Sequence, residues 1–360
     1  MKTIFDPIKL GSLTIKNRIF RSATLENGAS DEGIITPLLK NIYVELSEGG
    51  VGLIITGMMG VSHNSCVNTS MTKIYNSSFT PAFKEIISDV HKNDCKIVVQ
   101  LGQCGAKSTV IDKGDHPYSP SDIAFVTNKP AKAMTKEEIN SVVTNFGDAA
   151  LKCKDAGADG VEIHAAHGYL LSQFLSPYFN NRTDEYGGSI ENRARIVIEV
   201  YESIRAKVGT QYPVLIKINY SDLVEGGLSG DECIWVCKEL EKRGIDAIEV
   251  SSGIGADKDS RPSKIVKNEN DEGSFADGAL KLSSEINVPV ISVGGYRTPA
   301  IIEDYLNKGN IEAVSMCRPY IREPDLAKRW RNGDRSKSLC ISCNQCFMSP
   351  KHGCPHAAKV

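Results

Sequence analysis

Eight short apolar segments recur along this chain, each separated from the next by a longer stretch with helical periodicity. That alternation limits the fold more than any other feature. The segments fall at 17–24, 51–56, 96–101, 160–163, 213–218, 247–250, 288–293 and 313–316. Each has the length of a strand, and VGLIIT at 51–56 is apolar throughout, as a strand covered on both faces requires. The helices between them announce their starts. Thr36-Pro37, Thr80-Pro81 and Thr298-Pro299 each predict a threonine N-cap with proline at the first helical position. Thr135-Lys136-Glu137-Glu138 is a capping box ahead of Ile139, Val142, Phe146, Ala149, Ala150 and Cys153 at helical spacing. Further helices are predicted at 189–208, 232–242 and 277–286. Strands alternating with helices argue for a parallel α/β sheet, and a count of eight argues for a closed (β/α)8 TIM barrel. The competing architecture is an open doubly wound sheet, but no G-x-G-x-x-G links a strand to a helix, so a dinucleotide-binding half is unsupported. A small hairpin around Gly11-Ser12 precedes the barrel. Residues 106–134, with Pro117, Pro120 and Pro130, read as an elaborated loop after the third strand.

Composition narrows the function classes. The 360 residues are 41% hydrophobic and 24% charged with a net charge of -2, which argues against a nucleic-acid partner. No apolar stretch approaches a membrane span, and the first residues lack a signal-peptide core, so a cytoplasmic protein is expected. Seven of the eleven cysteines are scattered singly and read as small apolar residues of a reducing compartment. The other four form a separate group at the C-terminus.

The chemistry-bearing residues fall just after strands, the face on which barrels build active sites. The fourth strand runs into His164, His167 and Tyr169, followed by Ser176-Pro177, Asn180-Asn181 and Tyr186-Gly187-Gly188. Two imidazoles and a phenol on an exposed loop suit catalysis, although a histidine pair also suits zinc. Strands seven and eight end in Gly294-Gly295-Tyr296-Arg297 and Cys317-Arg318-Pro319, where barrels commonly bind phosphate. Gln100 at the end of strand three both donates and accepts hydrogen bonds. Lys217 on strand five is open to three readings: a cation beside a cofactor, an ion pair with a carboxylate on a neighbouring strand, or the Schiff-base lysine of an aldolase barrel.

The run HAAHGYLLSQFLSPYFNNRTDEYGGSIENR at 164–193 resembles the signature of the Old Yellow Enzyme family of FMN-dependent ene reductases. The similarity extends from Phe5-Asp6-Pro7-Ile8 to Arg322-Glu323-Pro324-Asp325 and includes the N-terminal barrel of 2,4-dienoyl-CoA reductase. The resemblance implies an enzyme in which NADH or NADPH reduces FMN and the flavin then reduces the C=C bond of a small enone. It implies that Gly294, Gly295, Cys317 and Arg318 hold the FMN phosphate end. Gln100 would meet the flavin pyrimidine, Ser22, Ala23, Thr24 and Gly57 would make its backbone contacts, and Lys217 would take the place of an arginine beside flavin N1 and O2. His164 and His167 would clamp the substrate carbonyl oxygen, and Tyr169 would donate the proton. Two departures stand out. Leu25 occupies the usual threonine or cysteine position near the flavin, and Gln100-Leu101-Gly102-Gln103-Cys104-Gly105-Ala106 lacks the family's substrate-side arginine.

Cys340, Cys343, Cys346 and Cys354 form a C-x2-C-x2-C-x7-C array. They divide the chain into a barrel at 1–335 and a cysteine-rich tail at 336–360. Thiolates so close suit an iron–sulfur cluster or zinc, or stay metal-free. The longer dienoyl-CoA-reductase-like members carry a cysteine cluster here, followed by FAD- and NAD-binding domains that this sequence does not include. An electron-transfer subunit feeding a partner through the tail is therefore the competing function. Assembly into a homo-oligomer is left open.

Overall fold

The structure, a computed structural model, describes residues 1–111, 115–124, 130–348 and 353–357. Eight parallel strands form a closed barrel: β1 Ile19–Arg21, β2 Leu53–Ile55, β3 Lys96–Gly102, β4 Gly160–Ala165, β5 Val214–Asn219, β6 Ala247–Ser251, β7 Val290–Val293 and β8 Ile311–Met316. Each pairs with the next, and β8 returns to β1 with Val314 opposite Ile19, so no edge is left open. Around it lie α1 Pro37–Glu48, α2 Phe79–His91, α3 Lys136–Asp155, α4 Arg195–Val208, α5 Gly230–Lys242, α6 Ala276–Ser283, α7 Pro299–Leu306 and α8 Leu326–Arg331.

The helix starts show which local signals carry through. Thr135 caps α3 with its capping box intact, and Ser229 with Glu232 forms a second box on α5 that the sequence reading passed over. Thr36 precedes α1 in extended conformation, but its hydroxyl donates to the Gly28 carbonyl at 2.6 Å instead of capping. Thr80 is a correction: α2 begins at Phe79, so that threonine lies inside the first turn. The excursion after β3 is also more structured than expected. It carries short strands at Tyr118–Ser119, Ile123–Ala124 and Pro130–Ala133, while 112–114 and 125–129 lie outside the described residues.

Strand alternation sorts the barrel interior into layers. Phe20, Leu53, Ile55, Val98, Leu215, Ala247, Ile291 and Ala313 form an apolar floor. The antiparallel hairpin Ile8–Leu10 with Leu13–Ile15 closes the barrel beneath, packing Ile8, Leu10, Leu13 and Ile15 into that cluster. Two residues further along the strands, the same alternation places Ser22, Gln100, Lys217, Glu249 and Ser315, every one of them buried. A polar layer thus rests on an apolar plug and supports what lies above it. Among the described residues, no helix is long and apolar enough to cross a membrane.

Candidate active site

Above the polar layer a cavity of about 690 Å³ opens at the C-terminal ends of the strands. Its lining includes Gln100, His164, His167, Tyr169 and Lys217, together with Ser22, Ala23, Thr24, Leu25, Gly294, Gly295, Cys317 and Arg318. Thirteen residues separated by up to 296 positions in the chain are therefore brought to one space. Gly57 is the exception. It lies outside this lining, and its N–H donates to the Glu26 carboxylate at 3.3 Å.

The floor is a linked set of charges. Lys217 Nζ lies 3.0 Å from Glu249 Oε2 and donates to the Ser22 hydroxyl at 3.0 Å. The Ser22 and Ser315 hydroxyls both donate to the other oxygen of Glu249. Burial pushes the Glu249 carboxyl up, but Lys217 and the two hydroxyls outweigh it and hold it below the usual carboxylate range. Glu162 is different. Burial first, and the neighbouring Glu249 second, push it well above that range, so it carries a proton. Its Oε2 accepts from Gln100 Nε2 at 2.7 Å, which fixes the orientation of that amide. Lys217 thus lines the cavity and also makes the neighbouring-strand ion pair. Glu162, Glu249 and Ser251 were missed in the sequence, although each sits at an inward position of its strand.

The wall carrying the imidazoles is buried and hydrogen-bonded. His164 is the fifth residue of β4 and buried, and the short helix Leu170–Leu175 that follows is wholly buried, so the expected exposed loop begins only after it. The Ala166 N–H donates to His164 Nδ1 at 3.3 Å, which leaves the proton of the neutral ring on Nε2. His167 has φ 62°, a left-handed conformation that a side chain disfavours. Two contacts hold it there. Asn219 Oδ1 accepts from its N–H at 3.2 Å, and Lys107 Nζ donates to its carbonyl at 2.6 Å. Its Nε2 lies 2.8 Å from the Ser251 hydroxyl. Burial, followed by Lys217, drives both histidines well below the usual imidazole range, so both are neutral.

Tyr169 packs edge-on against His164 with ring centroids 4.8 Å apart, and Lys107 stands 5.3 Å above its ring. Burial raises its hydroxyl above the ordinary phenol range, so it is a protonated phenol. Burial also pushes Lys107 down to about 8. The rest of the 164–193 run serves structure. Asn180 donates to the Phe174 and Tyr186 carbonyls, and Arg193 donates to those of Leu175 and Gly188.

At the other end of the cavity Gly294 and Gly295 have φ 152° and 75°, open to glycine and strained for other residues. A Cβ on Gly295 would approach Val266 to 2.4 Å and lie 3.8 Å from Arg318 Nη2. Backbone and guanidinium therefore flank one cradle.

The tail cysteines line a separate small cavity, again with Arg318, and Cys346 faces both cavities. Thiolates on one zinc ion lie about 3.8 Å apart for bonds of about 2.3 Å in a tetrahedron. Among the described residues no three ligating groups are so placed that they could hold a metal ion. The tail does not fit a preformed zinc site.

Residues 3–336 match the model of the NADH:flavin oxidoreductase / NADH oxidase family. The chain belongs to that family. It is 33% identical over 346 residues to an NADH oxidase of Thermoanaerobacter brockii, covering 95% of this chain and 52% of that protein. It is 32% identical over 327 residues to an NADPH dehydrogenase of Clostridium acetobutylicum, covering 89% of this chain and 92% of that one. A 2-naphthoyl-CoA reductase structure with 2-naphthoyl-CoA superposes with a TM-score of 0.88 at 28% identity, over 95% of this chain and 54% of the other. The chain thus spans about half the length of some relatives and nearly all of others. The Old Yellow Enzyme resemblance and the barrel both hold, and with them FMN and a nicotinamide reductant as the cofactors.

The cavity fits FMN. It has the volume of a cofactor site, a glycine cradle beside an arginine for a phosphate, and a buried amide for a heterocycle edge.

Proposed function

We propose that this chain reduces the activated C=C bond of an α,β-unsaturated carbonyl compound, with NADH or NADPH as the source of electrons. One observation carries the reading: two neutral imidazoles and a protonated phenol share a wall of the cavity that also holds the glycine–arginine cradle. Bound FMN supplies the hydride that the substrate β-carbon accepts. Gly294, Gly295, Cys317 and Arg318 would hold its phosphate end, and Ser22, Ala23 and Thr24 would contact the ring through their backbones. Gln100 and Lys217 would meet the polar edge of the ring. His164 would donate through Nε2–H to the substrate oxygen. Where Ser251 donates to His167 Nε2, that ring keeps its proton on Nδ1 as a second donor. Two preorganised donors stabilise the negative charge that grows on oxygen during reduction. Tyr169 then gives its proton to the α-carbon. The similar 2-naphthoyl-CoA reductase, in complex with 2-naphthoyl-CoA, supports an acceptor conjugated to a carbonyl.

Anaerobic titration with NADH and NADPH is expected to bleach the purified yellow protein, and a panel of enones, enoates and enoyl thioesters to restore the colour. A protein that NAD(P)H reduces but that no conjugated acceptor reoxidises is not an ene reductase.

A second reading is favoured by Cys346, which lines the large cavity and the cysteine cavity alike. In it, the barrel at 1–335 and the tail at 336–360 are distinct units, and Cys340, Cys343, Cys346 and Cys354 hold an iron–sulfur cluster that exchanges electrons with a partner. Four thiols are the donor set such a cluster uses, and they would have to draw together around the cavity to hold it. Protein purified anaerobically without chelator is expected to contain iron and acid-labile sulfide. Preparations containing neither remove this reading.

A further inference from the structure

The cysteine tail is tied to the barrel through Arg318. Arg318 Nη1 donates to the Ser342 hydroxyl and to the Asn344 side-chain carbonyl, each at 2.6 Å. Ser342 and Asn344 have φ 59° and 62°, a conformation that costs a residue with a side chain and persists only where its surroundings enforce it. Here the surroundings are the loop after β6. The Val266 N–H donates to the Ser342 hydroxyl at 3.0 Å, and the Asn344 amide donates to the Ser263 carbonyl at 3.1 Å. Ser342 is buried, although Ile341 and Cys343 on either side are exposed. In Cys340-Ile341-Ser342-Cys343-Asn344 the thiols therefore alternate with two polar groups that grip one guanidinium. The other terminal nitrogen of that guanidinium, Nη2, faces the Gly295 cradle.

We propose that Ser342 and Asn344 are positioning residues for the phosphate end of the flavin site, so that the state of the cysteine tail and the affinity for FMN are coupled. The inference rests on the reading of Gly294, Gly295 and Arg318 as the phosphate cradle. An arginine free to change rotamer loses that freedom when it binds an anion, and the loss weakens binding. An arginine already held by two acceptors has lost it beforehand. The coupling is reciprocal: whatever orders the tail tightens FMN, and the FMN phosphate orders the tail.

The test uses the full chain, stripped of flavin and titrated with FMN or riboflavin, with flavin fluorescence as the readout. Riboflavin lacks the phosphate, so the ratio of the two affinities isolates the cradle. Ser342→Gly and Asn344→Gly remove the side chains where glycine is unstrained. The double variant is expected to bind FMN roughly tenfold more weakly, from the restored arginine freedom, with riboflavin affinity unchanged. Asn344→Asp sets a carboxylate against Arg318 and is expected to lower the ratio further. Arg318→Ala must lower it by itself. If Arg318→Ala lowers the ratio and the tail variants do not, the coupling is wrong and the phosphate assignment stands. If Arg318→Ala leaves the ratio unchanged, the phosphate assignment falls and takes the coupling with it. Tail variants that weaken FMN and riboflavin equally have damaged the fold, and that result also overturns the coupling.

Discussion

Tyr169→Phe is expected to slow reduction of an enone by roughly 10²–10⁴-fold, the usual contribution of a positioned general acid, while reduction of FMN by NAD(P)H proceeds nearly unchanged. The prediction follows from what the substitution keeps. Phenylalanine preserves the ring that packs edge-on against His164 and lies beneath Lys107, so the wall is retained and only the proton is removed. The wild-type hydroxyl is protonated across the working pH range because burial raises it. A proton on a weak acid passes readily to a carbon that gains carbanion character as hydride arrives. Stopped-flow traces of the two half-reactions separate the cases. Equal slowing of both would mean that Tyr169 shapes the cavity and is not the proton donor. His164 and His167 variants are expected to differ in kind, weakening the binding of phenolate-like ligands that present an anionic oxygen.

The second large effect concerns stability. Lys217→Met leaves Glu249 fully buried without its cation, and removing one partner of a buried pair typically costs about 3–5 kcal/mol. In the wild-type protein the Glu249 carboxyl lies below its usual range. It therefore contributes stability at pH values above the unfolded carboxylate pKa, and that contribution disappears as pH falls through the folded value. Without Lys217 burial prevails and lifts the folded Glu249 carboxyl above its unfolded value, so the deficit is greatest at neutral pH and shrinks toward acid. Lys217→Met/Glu249→Leu removes both charges and is expected to recover most of the loss. Urea unfolding at pH 7.5 and pH 5 measures all three proteins. A double variant as unstable as Lys217→Met would show that the two charges do not depend on each other.

That ion pair changes the role expected of Lys217. A lone cation beside the flavin would favour its anionic reduced form, whereas Lys217 faces the cavity already paired with Glu249. The polar edge of the ring would meet a neutralised pair on a floor that also holds protonated Glu162. Leu25 adds to the departure. It joins Met58, Cys66, Met71, Cys104 and Tyr169 in an apolar, sulfur-rich cluster, at the position where the family usually has a threonine or cysteine.

The barrel was legible along the chain because its cause is local. Eight apolar runs of strand length, each followed by a helical stripe, bury both faces of a parallel sheet in few other ways. Thr135 and Ser229 each act within four residues, and both capping boxes form. His164, His167 and Tyr169 lie within six residues of one another, so their meeting needed no tertiary information. The assignments that depended on longer reach fared differently. Thr36 spends its hydroxyl on Gly28 and Gly57 spends its N–H on Glu26, partners that no local pattern specifies. Lys217 and Glu249 are 32 positions apart, and only the register of β5 against β6 sets them opposite each other. Ser342 and Asn344 read as spacers between cysteines until the tail folds back on Arg318. Periodicity fixes which way a side chain points relative to its own element. Which charge or hydroxyl meets it from another element depends on how the barrel closes and where the chain returns.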